Sequence, residues 1–282
     1  MLQYGFMRRA FVVGLLLAVI IPCIGIVVVL KRLSMIGDAL SHSSLAGVAA
    51  GLVMGANPVL GAVAACVAAA LGIEAIRKKI PQYSEMSIAI VMSAGVGLAG
   101  ILSGFVKNAA NFSSFLFGSI VAISDFELYL VVCVSAAVAL AFVLLYKELF
   151  FIALDERAAR LAGVPVTFVN FVFTILTAVT VSVAARTIGA LIVSSMMVVP
   201  VACAMQFGRS YRQTIAYSVC FAVAFTAVGL FIAYHARLKP GGAIVLLGVA
   251  CLLIIIAAKR VWGFFRGRLI GVFRRDGHRR IF

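Results

Sequence analysis

The chain has 282 residues, 65% of them hydrophobic and 12% charged, and its mean hydropathy of +1.20 lies outside the range of soluble globular proteins. At roughly 20 residues per transmembrane span, this excludes a mainly water-soluble fold and leaves little length for a soluble domain beside a membrane bundle. The formal net charge of +15 would suit nucleic acid or anionic lipid, so the placement of the 24 Lys and Arg residues decides its meaning.

Apolar stretches at about 11–30, 37–55, 58–76, 85–105, 125–146, 167–185, 188–207, 213–234 and 242–258 predict about nine spans in an all-α, polytopic helical bundle. The whole chain, 1–282, reads as one membrane domain. The first stretch follows Arg8 and Arg9, yet no small-residue cleavage site follows it and Pro22 precedes Cys23, so it reads as a retained span. Residues 112–123 are apolar but too short to cross, and polar positions such as Ser113 and Ser114 interrupt them. A re-entrant or surface helix is expected there. Cys23, Cys66, Cys133, Cys203, Cys220 and Cys251 all sit in apolar stretches without metal or disulfide spacing, and read as small packing residues.

Of the basic residues, 18 of 24 fall on one side of this layout: Lys31, Arg32, Arg77, Lys78, Lys79, Lys147, Arg157, Arg160, Arg209, Arg212 and eight from Lys259 to Arg280. The positive-inside rule places that side, and with it the C-terminus, in the cytoplasm. The basic tail at 258–282, with Trp262, Phe264, Phe265 and Phe273 interleaved, follows the last span directly. It reads as an interfacial segment touching anionic membrane lipid rather than nucleic acid.

Inside this apolar background, Gly37-Asp38-Ala39-Leu40-Ser41-His42 stands out. On a helix, Asp38 and His42 at i and i+4 share one face and could offer an oxygen and a nitrogen to one point. An acid at membrane depth is a candidate functional group. The residues alone leave three readings open: an internal salt bridge or hydrogen bond, a proton relay, or a ligand pair for zinc, manganese or ferrous iron. Waters, Ser41, a partner-chain residue or the 194–197 segment would supply further ligands, the segment ranking low because Met in a span is usually core. Ser41 beside His42 makes a poor hydrolase dyad, because neighbours on a helix point about 100 degrees apart. Glu74 beside Arg77 reads as a surface ion pair, Asp125 as a helix cap or a cation-attracting group together with Glu127, and His235 as interfacial.

A second polar element lies at 154–165. Asp155 is a candidate N-cap, Glu156 favours the positive helix end, and Gly163 with Pro165 marks the stop. Leu154, Ala158 and Leu161 or Ala162 give this short helix a small apolar face. It would either lie on the membrane or dock another subunit.

Taken together, these residues resemble the membrane permease of ABC-3 type metal importers. The matching stretches are Lys31-Arg32-Leu33-Ser34-Met35-Ile36-Gly37-Asp38-Ala39-Leu40-Ser41-His42, then Leu116-Phe117-Gly118, then 154–165, then Ile188-Gly189-Ala190-Leu191 through Pro200. The resemblance implies a permease of a bacterial inner membrane that imports zinc, manganese or iron and has no permanently bound cofactor. It would pair with a second copy or a related permease, take metal from an extracytoplasmic binding protein and rely on a separate ATP-binding subunit. Asp38 and His42 would be metal ligands. Leu154, Asp155, Glu156, Arg157, Ala158, Arg160, Leu161 and Gly163 would belong to a coupling helix seated in the ATPase. The sequence carries no GxxxxGK[ST] phosphate loop, so ATP hydrolysis is expected in the partner and not in this chain. Where the family commonly has an acid before the last outer Pro-Gly, this chain has Arg237-Leu238-Lys239-Pro240-Gly241. The alternative is a proton-coupled secondary carrier of divalent cations. It would need no partner subunit and leaves the charged 154–165 helix without a role.

Overall fold

The computed structural model describes residues 5–80, 83–106, 124–236 and 238–277. Among them, the regular secondary structure is helical: α1 (Gly5–Leu30), α2 (Ile36–Val53), α3 (Pro58–Lys79), α4 (Ser84–Ser103), α5 (Asp125–Leu144), α6 (Tyr146–Leu154), α7 (Glu156–Leu161), α8 (Val166–Ile188), α9 (Ala190–Met205), α10 (Tyr211–Ala236) and α11 (Pro240–Gly277). The segment expected to be re-entrant, 112–123, lies outside the described residues.

Among the described residues, seven helices are long and apolar enough to cross a membrane: α1, α3, α4, α5, α8, α10 and the Pro240–Val261 part of α11. That is two short of the nine expected. The other two predicted stretches fold as α2, whose hydropathy is diluted by Asp38, His42 and three serines, and α9, which has only 16 residues. The last helix also differs from expectation. It continues beyond residue 258 to Gly277, so the final span and the start of the basic tail are one helix.

Local sequence explains the helix boundaries. Asn57 caps α3 by accepting from the Val59 N–H at 2.9 Å, with Pro58 in the first turn and Arg77, Lys78 and Lys79 in the last. The Ser124 hydroxyl and the Glu127 carboxylate form a reciprocal capping box at the start of α5. Gly189, at φ +103°, ends α8 and starts α9 in a conformation that a residue with a Cβ rarely adopts.

Buried fraction separates the centre of the bundle from its rim. In α1 and α8, 67% and 61% of the apolar window is buried, against 17–33% in the other five candidate spans. The rim helices turn Leu98, Leu140, Val143, Leu246 and Leu253 outward, as helices bordering lipid do. α2, which carries Asp38 and His42, is packed against α3, α4 and α9. A Cβ on Gly47 would collide with the Gly61 backbone of α3, and one on Gly95 of α4 would sit 3.0 Å from the Ser43 nitrogen. The 47–51–55 glycine pattern thus serves close helix approach and the turn that follows it.

Replacing Gly47 by Ala should therefore force α2 and α3 apart. The expected cost is about 1–3 kcal/mol, read as a lower unfolding temperature of the purified protein. Gly97→Ala, where an added Cβ meets nothing within 4 Å, is the control and should leave that temperature unchanged.

Candidate functional site

α2 carries Asp38 in its first turn and His42 one turn later. From Ile36 to Ala49 every residue of this helix is buried apart from these two, which are half-buried. Packing explains the pattern. α3 meets α2 at Gly47, α4 at Ser43 and α9 at Gly37, and at 3.6 residues per turn Asp38 and His42 fall together in the gap between the α4 and α9 sides. The expected shared face is present, and it is the one side of this stretch left open.

α9 supplies a partner from 156 positions away in sequence: the Ser194 hydroxyl donates to Asp38 Oδ1 at 2.6 Å. The contact is possible because Gly37 has no side chain. A Cβ there would lie 3.0 Å from Ser194 Cβ and 3.1 Å from its Cα. Ser41, at 2% exposure, has a buried hydroxyl without a hydrogen-bond partner among the described residues. No group of three or more His, Cys, Asp or Glu side chains gathers into a metal-holding cluster among those residues. His235 is occupied elsewhere, its Nδ1 lying 3.0 Å from the Phe231 carbonyl oxygen and its ring against that phenyl.

The turn from α1 into α2 is anchored at Lys31, whose ammonium donates to Asn170 Oδ1 of α8 at 2.7 Å. Burial lowers the Lys31 pKa to about 8, helped by the positive charge of Arg77 and opposed by Glu156 and Glu74. Beside it, a hollow of about 1030 Å³ opens between α3, α7 and α8, lined by Glu74, Arg77, Lys78, Glu156, Arg157 and Arg160. Glu74 and Arg77 pair at 2.8 Å as the sequence suggested, although both side chains are mostly covered rather than on the surface.

The expected short helix at 154–165 is present as α7. Asp155 Oδ1 accepts from the Arg157 and Ala158 N–H groups at 2.8 and 3.0 Å, and Gly163, at φ +85°, follows its end. Its faces differ from the reading above. Ala159 is the residue buried against the bundle, Leu161 is exposed by 90%, and Leu154, also exposed, is the last residue of α6 instead. Arg157 is also exposed, and Arg160 reaches back to Glu156 at 3.4 Å.

At the other end of α8, Arg186 Nε bonds Glu127 Oε1 at 2.6 Å, while Glu127 Oε2 accepts from the Ser124 N–H. Asp125, expected as a cap, instead pairs with Arg9 at 2.8 Å, because Ser124 takes the capping position.

The residues that sequence reasoning passed over are Ser194 as a partner of Asp38, Asn170 as a partner of Lys31, and the Glu127–Arg186 pair. Ser194 had a visible signal, a Ser-Ser step inside an apolar stretch; the other two are tertiary contacts between ordinary-looking positions.

A bundle of apolar helices that leaves an acid and an imidazole open on an otherwise buried helix, and holds a charged helix out at one end, defines a multi-pass membrane protein with a polar site among its helices. The chain belongs to the ABC 3 transport family, which it matches over residues 3–259. It is 35% identical over 263 residues to a probable metal transport system membrane protein of Treponema pallidum, covering 93% of this chain and 98% of that protein. To the manganese transport system membrane protein MntC of Listeria innocua it is 32% identical over 258 residues, covering 91% of each. Among solved structures, the fold matches PsaBC from Streptococcus pneumoniae in complex with Fab. The TM-score is 0.80 at 28% identity, over 90% of this chain and 91% of that one.

Proposed function

We propose that the chain is the membrane-spanning permease subunit of an ATP-driven importer of a divalent transition metal ion, zinc, manganese or iron, in a bacterial inner membrane. The observation that carries this is the pairing of Asp38 and His42 as the two open positions on the buried run of α2. A carboxylate oxygen and a neutral imidazole nitrogen suit these metals better than alkali or alkaline-earth ions. Two ligands from one chain hold an ion weakly, as passage requires. A second permease, identical or related, facing the open side of α2 would add ligands without closing the path, and water would complete the shell. The Treponema and Listeria relatives are named for metal and manganese transport, which supports the metal class.

The end of the bundle that carries Lys31, Arg77, Lys78, Arg157, Arg160 and Arg212 is placed in the cytoplasm, the side favoured for basic loops. α7 then faces the compartment that holds ATP. Its exposed Leu161, Arg157 and Arg160, set on a helix fixed by Asp155 and Ala159, form with the exposed Leu154 at the end of α6 the surface through which a separate ATPase subunit drives the permease. The opposite end, with Glu127, Arg186, Arg9 and Asp125, faces the binding protein that delivers the ion. Membership in the ABC 3 family favours this reading over the proton-coupled carrier.

Asp38→Ala and His42→Ala should each remove metal-dependent uptake in cells while leaving the amount of permease in the membrane intact. Wild-type uptake in both variants would defeat the metal assignment. Reversing the charges of Asp155, Glu156, Arg157 and Arg160 together with Leu161→Asp should abolish co-purification with the ATPase subunit. Undiminished recovery of the complex would show that α7 does not dock it.

A further inference from the structure

Several buried hydroxyls in this bundle are satisfied within their own helix. Ser43, Thr177, Thr180 and Ser218 each donate to the carbonyl four residues earlier. Ser194 departs from that habit. It is 7% exposed, and its hydroxyl crosses to another helix to meet Asp38 Oδ1 at 2.6 Å, the short range of a hydroxyl donating to a carboxylate. Gly37 permits the approach by leaving Ser194 no side chain to displace. α9 begins only a few residues earlier, at the Gly189 turn, so Ser194 sits where the chain has just reversed from α8.

We propose that Ser194 is the positioning residue of the metal site: by holding Oδ1, it fixes the rotation of the Asp38 carboxylate so that Oδ2 is presented beside His42 toward the open side of α2. This rests on the reading of Asp38 and His42 as ligands of the transported ion. Ser194 acts on the ion through Asp38. Without it the carboxylate rotates freely about its last bond, and each binding event must reorder it. Outer partners that orient a metal's ligands typically alter affinity by about 10-fold or more when removed.

The test is uptake by the full permease–ATPase complex in vesicles, with manganese(II), zinc(II) and iron(II) each supplied alone, for Ser194→Thr, Ser194→Val and Asp38→Ala. Threonine and valine have the same shape and differ in the hydroxyl. The expected result is a wild-type KM in Ser194→Thr, a KM raised about 10-fold with maximal rate retained in Ser194→Val, and no uptake in Asp38→Ala. Equal KM values in the Thr and Val variants, with Asp38→Ala inactive, would overturn the positioning role and leave the functional reading standing. A lowered maximal rate with unchanged KM in Ser194→Val would make the contact one of packing and also overturn it. Should Ser194→Val fail to reach the membrane, Ser194→Ala takes its place under the same criteria. Wild-type uptake in Asp38→Ala would remove the functional reading itself.

Discussion

A carboxylate placed among apolar helices costs on the order of 2.5 to 3.5 kcal/mol even on the lenient insertion scale. A hydrogen bond to a charged group returns about 1.5–3 kcal/mol. The Ser194–Asp38 contact at 2.6 Å therefore offsets a large part of the cost of keeping Asp38 where it is. Much of the bundle is arranged to make that contact and leave the rest of the pair open. Gly37 lets α9 approach, Gly47 and Gly61 clamp α2 to α3, and Gly95 brings α4 against Ser43. α3, α4 and α9 pack closely on α2, and between Ile36 and Ala49 the acid and imidazole are the two positions left half-buried.

The same helix is tied to the charged end of the bundle. Lys31 stands just before α2 and bonds Asn170 of α8, while its ammonium feels the charges of Arg77, Glu156 and Glu74. Glu156 belongs to α7. Lys31 thus stands between α7 and the start of α2, the helix that carries Asp38 and His42. On the far side, Arg186 lies shortly before the Gly189 turn into α9 and pairs with the capping carboxylate of α5. The elements that meet at Asp38 are therefore anchored at both ends.

Much of this was readable from sequence where the signal is local. Runs of apolar residues located the long helices, Asp155 marked a helix start, and the i, i+4 spacing put Asp38 and His42 on one face. Legibility failed where a property depends on neighbours. α2 and α9 read as ordinary spans, although the apolar run of one is diluted by Asp38, His42 and three serines and the other is short because Gly189 turns the chain early. The apolar face of α7 was drawn through Leu161, whereas the bundle takes Ala159, whose small side chain fits against it. Ser194 looked like a weak candidate ligand, since nothing within its own segment reveals a carboxylate 156 residues earlier in the chain.

The central claim is that Asp38 and His42 bind the transported ion, and it is tested most directly at the metal itself. X-ray absorption at the manganese edge, on the purified permease–ATPase complex loaded with manganese(II), should show a shell of oxygen and nitrogen atoms with the outer scattering of an imidazole. That imidazole signature should disappear in His42→Ala. An unchanged spectrum and unchanged metal content in a complex carrying both Asp38→Ala and His42→Ala would contradict the claim.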